Sequence, residues 1–123
     1  MQESGEMDSE NRLCLLLVGL TELRRRLAMA CHESLAQRLV VRHHLASIDR
    51  AELDAYLAHR LHLAGCEHPL FDPPAVEALA HSTRGLPRLI NRTAHYALTA
   101  AAAKGARTVC AEHIEHAVAE LRL

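Results

Sequence analysis

At 123 residues, half of them apolar, the chain suits one domain with a sizeable core, which argues against global disorder. Its 14 basic and 15 acidic residues leave a formal net charge of −1, excluding a strongly basic, tail-driven DNA binder. Tyr56, Phe71 and Tyr96 are its only aromatic side chains, too few for a single-strand reader built on stacked rings.

Residues 1–12 form a polar segment whose Glu3, Glu6, Asp8 and Glu10 reverse the basic start of a signal peptide. The longest near-continuous apolar run, Leu13 to Leu20, is too short to span a bilayer. A soluble, cytoplasmic protein without membrane insertion is expected. Leu13 to Val18 is apolar on both faces, as in a central strand of a parallel sheet covered on both sides. Thr21 can cap a helix running through Glu22, Leu23, Leu27 and Cys31 toward Leu35. Arg38 to His43 is β-branched and partly alternating, which predicts a second strand. Strand, helix and strand over 13–47 make one βαβ unit.

The pattern over 48–123 is helical. Asp49 with Glu52 makes a capping box for a helix from Arg50 to Leu63, with Leu53, Tyr56, Leu57 and Leu61 as its apolar stripe and Gly65 at its end. Asp72 caps a second helix that opens on Pro73 and Pro74 and stops at Gly85, with Phe71 able to staple onto Val76. Pro87 opens a third, from about Arg88 to Lys104, closed by Gly105. The fourth runs from about Ala111 to Leu121, with Ile114, Val118 and Leu121 inward. The fold class expected is therefore an α/β remnant plus an all-α part. Two parallel strands do not make a self-sufficient sheet, so the chain reads as the tail of a longer protein.

Four features carry possible chemistry. Lys104 is the only lysine and follows Ala101, Ala102 and Ala103 late in a helix, so the chain has no P-loop. Pro87 places Arg88 in the first turn of a helix, where the macrodipole disfavours a cation unless an anion sits between them. Arg84 and Arg92 flank it, and an Arg in solvent or paired with a carboxylate is the plainer alternative. Arg38 stands where a helix hands over to a strand, at a sheet edge from which an arginine finger can reach a neighbouring subunit's phosphate site; a solvated charge is again the plainer alternative.

The cysteines Cys14, Cys31, Cys66 and Cys110 contain no CxxC pair and suit a reducing compartment. Cys110, His113 and His116 share a helix face, and His59, His62, Cys66 and His68 cluster, but neither spacing matches a zinc pattern, so no metal is expected. A nucleophilic Cys–His pair finds no oxyanion element beside it. Arg24, Arg25 and Arg26 form a basic helix turn that reads as a solvated face, or as phosphate contacts in a DNA-associated protein.

Taken together, Leu13 to Arg26, Leu35 to Arg38, Ala58 to Leu61 and Gly85 to Arg92 resemble the C-terminal part of an AAA+ ATPase. More narrowly, they resemble the ExeA (general secretion pathway protein A) type and the similar ATP-binding helper proteins of insertion sequences. The resemblance covers nearly all of residues 7–123. It implies that Leu13 to Val18 is the sensor-1 strand and Arg38 the arginine-finger position. It also implies that Ile48 to Leu123 is a four-helix lid, with Arg88 as the sensor-2 Arg on the nucleotide's phosphates. The intact protein would use ATP and Mg²⁺, and its partners would be the missing P-loop half, further copies in an AAA+ oligomer, and a transposase with DNA. DNA transposition is the expected role, with a secretion ATPase or a non-enzymatic helical binding module as alternatives. Without a P-loop or Walker B acids this chain is expected to bind no cofactor and to be inactive alone. Relatives tend to have Gln where Leu20 stands, which weakens sensing there, and Asn or another good cap where Cys110 stands.

Overall fold

A computed structural model describes residues 12–122, so all but Arg12 of the polar segment 1–12, and Leu123, lie outside the described residues. The chain divides into two units, with the boundary after His44. Among the described residues there are six α-helices and almost no strand.

In the first unit, α1 spans Thr21–Leu27, a 3₁₀ turn spans Ala30–His32, and α2 spans Glu33–Gln37. None of these elements buries a residue. The strands expected at Leu13 to Val18 and Arg38 to His43 do not form, and the βαβ unit is corrected to irregular chain around short helices. Leu16, Val18, Val40 and Val41 are 82%, 83%, 95% and 85% exposed. The physical reason is the one that made the strands unusual: a central strand is held by ladder partners on both edges, and the described residues offer none. The single helix expected from Thr21 toward Leu35 is likewise broken, because Met29 leaves helical geometry at φ −71°, ψ 145°. The N-cap of α1 is Leu20 rather than Thr21, and no side chain caps it. Glu22 pairs with Arg25 at 2.6 Å and Arg26 at 3.5 Å, so two of the three consecutive arginines are neutralised within their own helix.

The second unit has the core. Its helices are α3 (Arg50–Leu63), α4 (Pro73–Thr83), α5 (Pro87–Ala103) and α6 (Ala111–Leu121). Asp49 accepts from the Glu52 N–H at 2.8 Å, and Glu52 accepts from the Asp49 N–H at 3.1 Å, completing a capping box for α3. Asp72 accepts from the Ala75 N–H at 2.8 Å and so caps α4. Leu53, Leu79, Ile90, Val109 and Ile114 are fully buried, and α5 turns a small-residue face of Ala94, Ala97 and Ala101 inward. Small residues there let α6 pack closely across α5 and α4. Val118 and Phe71 pack on this core half-buried. Two backbone hydrogen bonds, Val109 N–H to Leu70 at 2.7 Å and Asp72 N–H to Val109 at 3.0 Å, tie the approach to α6 against the start of α4. Arg50 of α3 holds Glu77 of α4 at 2.7 Å and Asp54 at 2.9 Å, and the hydrogen bonds it donates, first to Asp54 and then to Glu77, raise its basicity above that of a free guanidinium. This triad is exposed and adds little stability.

The turn between α4 and α5 is the tightest point. Arg84 (φ 52°) and Gly85 (φ 74°) both lie in the left-handed region. Gly85 accepts the Ile48 N–H at 2.8 Å, and a Cβ on Gly85 would stand 2.0 Å from the Ile48 carbonyl oxygen. Gly85→Ala combines a left-handed penalty with a backbone overlap and should cost the unit about 2–5 kcal/mol in urea denaturation. A loss under about 0.5 kcal/mol would show that the turn moves freely. Thr93 supplies the opposite test, because its Oγ1 is buried without a hydrogen-bond partner. Thr93→Val keeps the shape and deletes that orphan hydroxyl, so the denaturation midpoint should rise, by about 1 kcal/mol in stability.

Candidate functional site

The left-handed Arg84–Gly85 pair reverses the chain within a few residues and delivers Pro87 to the first position of α5. Proline is suited to that position, since its missing N–H would have had no partner. Arg88 follows in the first turn, and Arg92 lies one turn further on the same face. Arg84, Arg88 and Arg92 are all exposed, and none forms an ion pair among the described residues. The N-cap of α5 is Leu86, whose side chain accepts nothing, and the first turn contains no acid. From Ala78 through Ala111 the sequence has no carboxylate at all. The positive pole of a 17-residue helix therefore has neither a capping side chain nor an acid in its first turn, and Arg84, Arg88 and Arg92 lie close to it in the chain. Such a place favours an anion, because backbone N–H groups, the dipole and forked Arg donors all point to negative charge.

Tyr56 of α3 donates its hydroxyl to Asn91 Oδ1 at 2.8 Å, bracing the residue next to Arg92 from another helix. Sequence reasoning missed this brace, since residues 35 apart meet only after α3 and α5 are arranged. It also missed the Ile48–Gly85 contact, although a glycine just ahead of the Leu-Pro step was its visible mark.

Arg38 belongs to the first unit. It is the C-cap of α2, its N–H bonds the Leu35 carbonyl at 3.0 Å, and it is exposed. The sheet edge expected to carry it is absent among the described residues, because the strand after it does not form. Leu20 stands exposed ahead of α1. Among the described residues no group of three or more His, Cys, Asp or Glu is placed to hold a metal ion. His62 instead pairs with Glu67 at 2.9 Å, and Cys66 donates to the His68 carbonyl at 3.2 Å. No described helix is long and apolar enough to cross a membrane. Two concavities lie apart from Arg84, Arg88 and Arg92: one of about 310 Å³ under Leu57, Leu61 and Phe71, another of about 510 Å³ between Ala78, Ile114 and Val118.

Fold and site together define a small helical unit in which one helix starts uncapped beside exposed arginines. No protein-family model and no solved structure matches the chain. It is 38% identical over 104 residues to general secretion pathway protein A of Aeromonas hydrophila. The match takes in 85% of this chain but only 19% of that protein's length. The resemblance drawn from the motif blocks is thereby shown: the chain is similar to one part of a general secretion pathway protein A.

A cation in the first turn of a helix works against folding, and this gives the site a test without any ligand. Arg88→Glu should raise the stability of the chain by about 0.3–1 kcal/mol at low salt, read from urea denaturation. A fall in stability would mean that Arg88 has a structural partner.

Proposed function

We propose that the chain is the end-of-core and lid portion of an AAA+ ATPase, with α3 to α6 as its helical lid. In this reading Arg88 is the sensor-2 residue and binds the phosphates of ATP held by its own subunit. The observation that carries it is the bare N-terminus of α5, which has no capping side chain, no acid and three exposed arginines around it. The motif blocks shared with that class support the same assignment. Arg38 is assigned the arginine finger, supported by its exposure at the end of α2 and by its place in the motif order. ATP and Mg²⁺ enter only with a P-loop half and with self-association, since finger and nucleotide come from different copies. Of the two cellular roles, the relative's printed name favours secretion. Transposition, with a transposase and DNA as partners, rests on the motif resemblance to insertion-sequence helper proteins.

The test restores a relative's nucleotide-binding half ahead of this chain. Arg88→Ala should weaken ATP binding about 10–100-fold even in dilute protein, as expected for charge-assisted hydrogen bonds of about 1.5–3 kcal/mol. Arg38→Ala should spare affinity and remove roughly a thousandfold of the assembly-dependent rate. Mixing it with a P-loop-dead partner whose Arg38 is intact should restore turnover. Unchanged affinity in Arg88→Ala removes the sensor-2 assignment, and no recovery on mixing removes the finger.

A further inference from the structure

The outward face of α5 holds a pattern that reaches well beyond its first turn. Ile90, Thr93, Ala94, Ala97 and Ala101 are the residues that α5 buries. At 3.6 residues per turn, the centre of the opposite face falls on Arg88, Arg92 and His95, all exposed. They make a row of donors about 10 Å long. Thr99 continues the row, but its hydroxyl already donates to the His95 carbonyl at 2.9 Å. Arg84, Lys104 and Arg107 lie on either side in the chain and are exposed too. The chain has no acid between Arg84 and Arg107, so its net charge of −1 conceals a strongly basic stretch. Exposed arginines elsewhere find carboxylates: Arg50 holds Asp54 and Glu77, while Arg25 and Arg26 share Glu22. No basic residue from Arg84 to Arg107 forms an ion pair among the described residues.

We infer that this face of α5 binds the phosphodiester backbone of a nucleic-acid duplex without reading its sequence. A row of guanidinium forks suits a row of phosphates, and backbone contacts of this kind fix position but specify no base. Asn91 is the amide on this face that could read a base. Its Oδ1 is taken by the Tyr56 hydroxyl, so it cannot make the two-pronged contact that adenine needs. Tyr96 meets His95 edge-on, with ring centroids 6.3 Å apart, and α5 has no other aromatic on which single-stranded bases could stack. A membrane surface fits less well, because the apolar face that α5 would lay into lipid is already buried in the core. Arg88 is shared with the nucleotide reading, but Arg92 and His95 are assigned no contact there, and the row exists whichever cellular role holds.

The full 123-residue chain is titrated into labelled DNA and RNA duplexes of about 20 base pairs, and binding is read by fluorescence anisotropy at stepped salt concentrations. About three phosphate contacts should give a slope near −3 for the logarithm of the association constant against that of salt. Two duplexes of unrelated sequence should bind within about twofold of each other. Binding to either polymer supports the proposal, and the tighter of the two identifies its source. Arg92→Gln should weaken binding about tenfold and cut the slope by about 1, while Arg92→Lys keeps most of the affinity. Arg50→Gln, and a triple variant with Gln at Arg24, Arg25 and Arg26, should bind as the unaltered chain does. Equal loss in either of these makes the binding a matter of overall charge or of the first unit, and overturns the proposal. So does tighter capture by vesicles of anionic lipid, or no duplex binding by about 100 μM chain at low salt. No nucleotide-binding half is present in this experiment, so its failure is read separately from failure of the ATP assignment.

Discussion

The backbones of Ile48 and Gly85 occupy one small volume, and much of the second unit is arranged around that contact. Ile48 donates its N–H to Gly85, and no side chain fits between them. Asp49 begins the capping of α3 directly after Ile48, while Arg84 ends α4 directly before Gly85. Pro87 starts α5 two residues later. One hydrogen bond and one missing Cβ thereby set the entry of α3, the exit of α4 and the origin of α5. Arg84 bears part of the cost, since a non-glycine residue in the left-handed region is strained by roughly 1–2 kcal/mol. The arginine site is built on this turn, so its geometry is inherited from the tightest backbone packing in the unit.

Helix starts in the same unit show how different α5 is. Asp49 and Asp72 give α3 and α4 capping oxygens. Cys110 and His113 share the task at α6. At α5 the position falls to Leu86, and the charges nearby have the wrong sign for stability. A helix start without a capping oxygen and with a cation in its first turn costs stability unless an anion is bound there. Arg50 makes the contrast sharper: it is an exposed arginine with two carboxylate partners, whereas Arg84, Arg88 and Arg92 have none among the described residues.

The first unit follows a different rule. Its apolar residues are numerous, yet none of the described ones is buried. Leu13 to Val18 carries the composition of a strand covered on both faces, and that composition requires surfaces which residues 12–44 do not themselves supply. Helices close their hydrogen bonds within a short segment, so α1 and α2 form while strands do not. The chain spans 19% of the length of the relative it matches.

Much of the second unit was legible in the sequence because its signals are local. Asp49 with Glu52, Asp72 before two prolines, Gly65 and Gly105 after apolar periods, and Pro87 at a helix start each act through neighbours within four residues. Arg88 was legible for the same reason, as a cation misplaced against a dipole. Only the tertiary structure decided which side chains share the core, how Tyr56 reaches Asn91, and why Gly85 admits no Cβ, since these join residues about 35 apart. It also decided against the two strands. An apolar run states what would satisfy it, but a strand exists only where another supplies the hydrogen bonds, and that partner is not written in the run itself.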